Sequence, residues 1–186
     1  MSVVLVVPDA GPLISLAKAD CLDLLLLPGV PVWIVDQVRF EASGSDRFPD
    51  AIRIDRFIRS HDARIMEFTT AVGLAAAQRR AQGEVRQPGQ GEAAIAEFLQ
   101  RLDEVTGDPD APVLMLFEDS DIRRSRFFLP DNVHLLSTLA FLRGLERKCL
   151  IPSAEQVWSL IAAAGRTPSL ADVDLPGATL GNVTSW

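Results

Sequence analysis

The chain has little of the residue chemistry that soft metals and imidazole catalysis require. Cys21 and Cys149 are its only cysteines, and His61 and His134 its only histidines. Two isolated thiols make no disulfide framework and no CxxC pair, which argues against a thiolate metal centre and for a reducing compartment. His134 lies in an apolar run, as a structural histidine would, and His61 lies in the polar run RSHDAR, where solvent is the expected surrounding. Lysine is scarce too: Lys18 and Lys148 are the only two, and the other cations are arginines. Long hydrophobic runs are missing. LDLLLLPGV is too short to span a bilayer. MSVVLVVPDAG has no basic leading region and is interrupted by Asp9, so it does not read as a signal peptide. The expectation is a soluble, cytoplasmic protein with no membrane contact. An excess of positive charge is also absent. At a formal net charge of −7, a nucleic-acid partner would need a local basic patch and a metal to offset repulsion.

What is present suits one globular domain. The chain has 186 residues, 48% hydrophobic and 23% charged, enough for a single core and ordinary in composition. Short apolar runs at 3–7, 30–35, 63–68, 113–117 and 133–136 predict strands. Helical patterns fall between and after them, at 11–18, 20–27, 36–43, 51–60, 71–81, from Glu92 onward, 120–126, 138–148 and after Ser153. Asp36 is the expected N-cap of its helix, and Ser153 with Gln156 forms a capping box. Residues 82–91 are a Gly/Gln/Pro loop, and 166–186 has no period and many turn residues. Alternating strands and helices imply a parallel sheet with helices on both faces.

Acidic residues fall at particular places in this pattern. Asp9 directly follows the first strand, and Asp119 and Asp121 closely follow the strand at 113–117. Glu41 shares a helix face with Val38. Glu92 shares a stripe with Ile95 and Leu99 in GQGEAAIAEFLQRL and so points toward the core side. In open parallel sheets, strand ends and the helix N-termini after them lie at one edge, where ligands collect. Clustered carboxylates repel one another unless they take up protons or bind a cation. Oxygen ligands without His or Cys select Mg²⁺ or Mn²⁺, and such an ion can activate water for attack on a phosphodiester. Each acid also has an ordinary role open to it. Asp9 can cap a helix, Glu92 can serve a helix dipole, Glu41 can be an exposed helix residue, and Asp119 or Ser120 can cap the helix at 120–126.

The segments DAGPLISLAKAD, VDQVRFEA, GQGEAAIAEF and VLMLFEDSDIRR, in that order, resemble the four acidic motifs of PIN-domain proteins. More narrowly the chain resembles the VapC-like toxin ribonucleases and their relatives with a GEAEAI-type third motif, and LLSTLAFLRGLERKCLI looks like the stretch that follows their fourth motif. The resemblance covers residues 3–165. It implies a PIN-like (Rossmann-like) three-layer α/β/α sandwich over 1–165, with 166–186 as a C-terminal tail. It implies Mg²⁺- or Mn²⁺-dependent endoribonuclease activity, an antitoxin partner and a homodimer. By position, Asp9, Glu41 and Glu92 match the first three acids. Asp119 is the first choice for the fourth, Asp121 fits a DxD version, and Glu118 is a further candidate. The resemblance makes Asp9, Glu92, Asp119 and Asp121 the metal ligands. Arg123, Arg124 and Arg126 could grip RNA phosphate or an antitoxin carboxylate, or pair with the neighbouring acids on a solvated helix face. Ser137 and Thr138 could bring hydroxyls to the site or cap a helix. Ala10 departs from the Thr or Ser common after the first Asp in the family. That departure keeps open a non-cleaving PIN-like scaffold that binds RNA or protein. A phosphoacceptor domain also uses acids at strand ends, but it needs a lysine after a late strand, and none follows 133–136 before Lys148.

Overall fold

The computed structural model describes residues 3–85, 87–118 and 129–166. In chain order these form β1 (Leu5–Pro8), α1 (Ala10–Lys18), a 3-10 turn (Leu22–Leu26), β2 (Val32–Val35), α2 (Asp36–Ser43), α3 (Pro49–Ser60), β3 (Ile65–Phe68), α4 (Ala71–Ala81) and α5 (Gln90–Gln100). There follow α6 (Leu102–Thr106), β4 (Val113–Phe117), β5 (Val133–Ser137), α7 (Thr138–Arg147) and α8 (Ala154–Ala163). The strands make one sheet in the order β3-β2-β1-β4-β5, and every neighbouring pair is parallel. Helices flank it, an α/β arrangement consistent with a Rossmann-like three-layer sandwich. Among the described residues, no helix is long and apolar enough to cross a membrane.

The burial pattern explains the strand order. LVVP of β1 and VLMLF of β4 are buried throughout, as central strands covered on both faces require. The outer strand β3 is buried only at its two ends, Ile65 and Phe68. Helix α5 packs through Ala94, Ile95, Phe98 and Leu99. Phe98 meets the Phe68 ring edge-on at 4.9 Å and lies 6.4 Å from Trp33, an arrangement that satisfies ring quadrupoles. That contact seats the C-terminal half of α5 against β2 and β3.

The chain lays β2 and β3 on one side of β1, then β4 and β5 on the other. Strand order therefore reverses between β1 and β4. In open α/β sheets the crevice outside the carboxyl ends at such a reversal is where ligands bind. At this edge β1 stays paired with β4 but not with β2. The Val6 amide donates to Pro31 on the β2 side and the Asp9 amide to Leu116 on the β4 side. Amides alternate in direction along a strand, so the donor that Pro8 lacks is one that would face β2. The β1–β4 register runs from Leu5↔Val113 to Pro8↔Leu116.

Several local expectations change. The helix expected at 20–27 is a 3-10 turn, entered through Asp20 at φ 57. Asp36 is the first residue of α2 and Val35 its N-cap. The Asp36 carboxylate instead accepts from the Thr70 amide at 2.9 Å and the Thr70 hydroxyl at 2.8 Å, tying α2 to the start of α4. Helix α5 begins at Gln90, inside the expected loop. His61 is half-buried, its ring 4.9 Å from that of Phe57, because α3 ends by folding it back onto its own last turn. Ser153 caps α8 as expected, accepting from the Gln156 amide at 3.2 Å. The helix expected at 120–126 and the tail beyond Arg166 lie outside the described residues.

Candidate functional site

Asp9 stands at the end of β1. It occupies the N-cap position of α1, yet its side chain makes no cap hydrogen bond. Helix capping therefore does not account for an acid here. Its amide donates to Leu116 at 2.9 Å, which locks the start of α1 against β4. The side chain is half-buried at the mouth of the crevice.

Glu118 follows β4 directly, and its side chain is only 6% exposed. Its Oε2 accepts from Ser15 Oγ at 2.7 Å and from Arg166 Nη2 at 2.8 Å. Its Oε1 accepts from Thr138 Oγ1 at 2.6 Å. Arg166 Nε donates to Ser15 Oγ at 3.0 Å, closing the network. Ser15 and Thr138 are themselves buried. A carboxylate this enclosed requires such partners, because a buried charge without them is costly. Gly11 lies alongside: a Cβ there would come 3.0 Å from that of Glu118.

Arg166 reaches Glu118 because of how α8 stops. Gly165 adopts φ 79, its amide donates to Ala162, and the Arg166 amide donates to Ile161. This is a Schellman turn, which needs a residue tolerant of the left-handed region just past the helix. It turns Arg166 back toward α1. The sequence signal for it was present, a glycine following an apolar helix, although the partner 48 residues away in the chain was not legible.

Glu41 lies against the start of α5, the helix that carries Glu92. Glu41 is half-buried, and its carboxylate rests on Gly91: a Cβ at Gly91 would lie 2.7 Å from Glu41 Oε2. Gln37 Nε2 is 3.5 Å from Glu41 Oε1, and Gln37 in turn accepts from Arg80 at 3.1 Å. The Arg80 guanidinium stacks on Phe40, 3.5 Å from the ring centre. Glu92, expected to point toward the core side, is exposed. The buried face of α5 is centred on Gly91, Ala94, Ile95 and Phe98; Glu92 sits at its margin in the first turn, where the helix N-terminus favours a negative charge. Gly91→Ala is expected to displace Glu41 at a stability cost under about 1 kcal/mol, since the clashing atoms end a flexible side chain. Activity at the edge should fall about tenfold if Glu41 is needed in place, which is a transition-state loss of about 1.4 kcal/mol. Urea unfolding and turnover measured on one preparation separate the two.

Thr138 is buried and gives its hydroxyl to Glu118. Of the roles open to it (a hydroxyl brought to the site, a helix cap, or a contact to RNA or antitoxin), the structure shows the first. Ser137 is the N-cap of α7, accepting from the Ala140 amide at 3.1 Å. Asp119, Asp121, Arg123, Arg124 and Arg126 lie outside the described residues. Among the described residues, no three His, Cys, Asp or Glu side chains gather in a group that could hold a metal ion. No protein-family model, curated protein or solved structure matches this chain.

Proposed function

We propose that this chain is a PIN-like, Mg²⁺- or Mn²⁺-dependent endoribonuclease, the toxin of a toxin–antitoxin pair acting as a homodimer. One observation carries the proposal: Asp9 and Glu118 end the two strands between which the sheet order reverses. Residues at such a crevice are where ligands of open α/β sheets bind. The donor chemistry fits a hard cation, because Asp9, Glu41 and Glu92 offer carboxylate oxygens and no His or Cys lies on their segments. Asp9 and Glu92 would hold the ion, with Asp119 and Asp121 supplying further oxygens on the sequence reading. When bound, it would polarise the RNA phosphate and lower the pKa of an attacking water. Glu41, steadied by Gln37 and Gly91, is the residue that would hold a proton at the edge. Arg80, stacked on Phe40 beside Glu41, offers a charged donor to a phosphate oxygen.

Two measurements test the proposal. Metal at about a hundred times its Kd should stabilise the fold by about 2.7 kcal/mol. That corresponds to a Tm rise of roughly 5–10 °C for a chain of this size. An unchanged Tm across millimolar Mn²⁺ would contradict a shared-acid site. RNA shortened in Mn²⁺ and intact in EDTA supports the nuclease. RNA bound but uncut in both favours the scaffold, a second reading that has its own observation: Glu118 already spends both carboxylate oxygens on protein donors.

A further inference from the structure

Arg80 differs from the other half-buried arginines that hold a charged partner. Arg39 pairs with Asp55 and Glu67, Arg101 with Glu97 and Glu104, and Arg166 with Glu118. Among the described residues, no carboxylate pairs with Arg80, and its two partners are neutral. The guanidinium lies 3.5 Å from the centre of the Phe40 ring, and its Nη1 donates to Gln37 Oε1 at 3.1 Å. Gln37 is buried and is the second residue of α2, which begins directly after β2. The guanidinium is thereby held at the carboxyl edge of the sheet, where ligands of open α/β folds collect.

The Gln37 amide has one workable orientation. Its Oε1 accepts from Arg80, and its Nε2 then faces Glu41 Oε1 at 3.5 Å. Turned over, it would set an N–H against a guanidinium that can only donate. Arg80 is thus fixed by one face and one edge before any ligand arrives, which lowers the entropic cost of binding. Phe40 covers a face of the guanidinium, and the N–H groups left over at its rim form a planar fork that matches two oxygens of a phosphate. We propose that Arg80 contacts one phosphate of the RNA strand and that Gln37 is the positioning residue that aims it. The inference rests on the ribonuclease reading above for the identity of the ligand, and it needs no metal. A protein carboxylate would suit the same fork. RNA phosphate is favoured because one buried amide joins Arg80 to Glu41, the acid that would hold a proton during cleavage.

The test uses the full chain in EDTA and a fluorescent oligouridylate, with affinity read by anisotropy across a series of NaCl concentrations. Circular dichroism first checks the fold of each variant. Arg80→Gln should bind about tenfold more weakly, and the slope of log affinity against log salt should shrink by about 0.7, the loss of one phosphate contact to a single strand. Arg80→Lys keeps the charge without the fork and should bind about threefold more weakly at the wild-type slope. Gln37→Leu leaves the charge but not its aim, and it too should lose affinity about threefold with the slope unchanged. A purely structural Arg80 would leave the slope where it is in every variant. Arg80→Gln equal to wild type in affinity and slope overturns the contact, leaves the nuclease reading standing and makes a protein carboxylate the better partner. A slope that shrinks as expected in a protein that never cuts RNA with Mn²⁺ supports the contact and sinks the nuclease. No RNA binding by wild type overturns both.

Discussion

Glu118→Ala is expected to be among the most destabilising single substitutions at the site, at about 3 kcal/mol. The figure follows from what is left behind. Ser15 Oγ and Thr138 Oγ1 are buried donors that lose their acceptor, and each unsatisfied buried group costs about 1–3 kcal/mol. Arg166 loses its ion pair, but it is a third exposed and water recovers part of that loss. Three elements loosen together: α1 through Ser15, α7 through Thr138 and the end of α8 through Arg166. Thr138→Val removes one bond and Ser15→Ala two, the second of them to the partly exposed Arg166, and each substitution should cost about 1–2 kcal/mol. Glu118→Gln keeps an acceptor for one hydroxyl and should fall between. Urea midpoints for the four variants, at unchanged slope, give the comparison. A Glu118→Ala midpoint equal to wild type would mean that the network is not a stabilising element.

Asp9→Asn is expected to leave stability nearly unchanged and to remove RNA cleavage, by at least about a hundredfold. The two halves rest on different observations. No helix-capping bond is lost because the Asp9 side chain does not cap α1, and the amide bond to Leu116 belongs to the backbone and survives the substitution. The isosteric amide also preserves side-chain volume. Activity is lost because the substitution removes the negative charge at the end of β1, where the strand order reverses. A variant as stable as wild type and inactive separates chemistry from folding. One that unfolds would instead place Asp9 among the structural acids.

Much of the fold was legible because its strands are short, wholly apolar and separated by helical periods. The Val113–Phe117 strand matches its apolar run residue for residue, and α4 matches 71–81. Boundaries shifted where hydrogen bonding, which the composition does not carry, decided them: β1 runs from Leu5 to Pro8 because β4 pairs with it there. At the site, Asp9 and the stretch after the Val113–Phe117 strand could be placed at one edge from topology, since residues after parallel strands share one end of a sheet. The role of Glu118 could not. Glu118, Asp119 and Asp121 crowd one short stretch, and linear spacing does not say which of them turns toward α1 and Thr138. Ser15 reads as one more residue of an amphipathic helix, and Arg166 as the first residue of a tail. Their meeting at one carboxylate is a long-range event set by how α1, β4, β5 and α8 pack. Glu92 failed for the opposite reason. Its period is helical, but the first turn lies at the margin of the packed face, where periodicity no longer predicts burial.

The most direct test of the central claim is a paired cleavage assay on a defined RNA. Wild type and Asp9→Asn are purified identically and each is assayed in Mn²⁺, Mg²⁺ and EDTA. The account predicts RNA cut by wild type with either metal, intact RNA in EDTA, and intact RNA with Asp9→Asn throughout. Equal cleavage by both proteins, or none by either with metal present, would contradict a metal-dependent nuclease site at this edge.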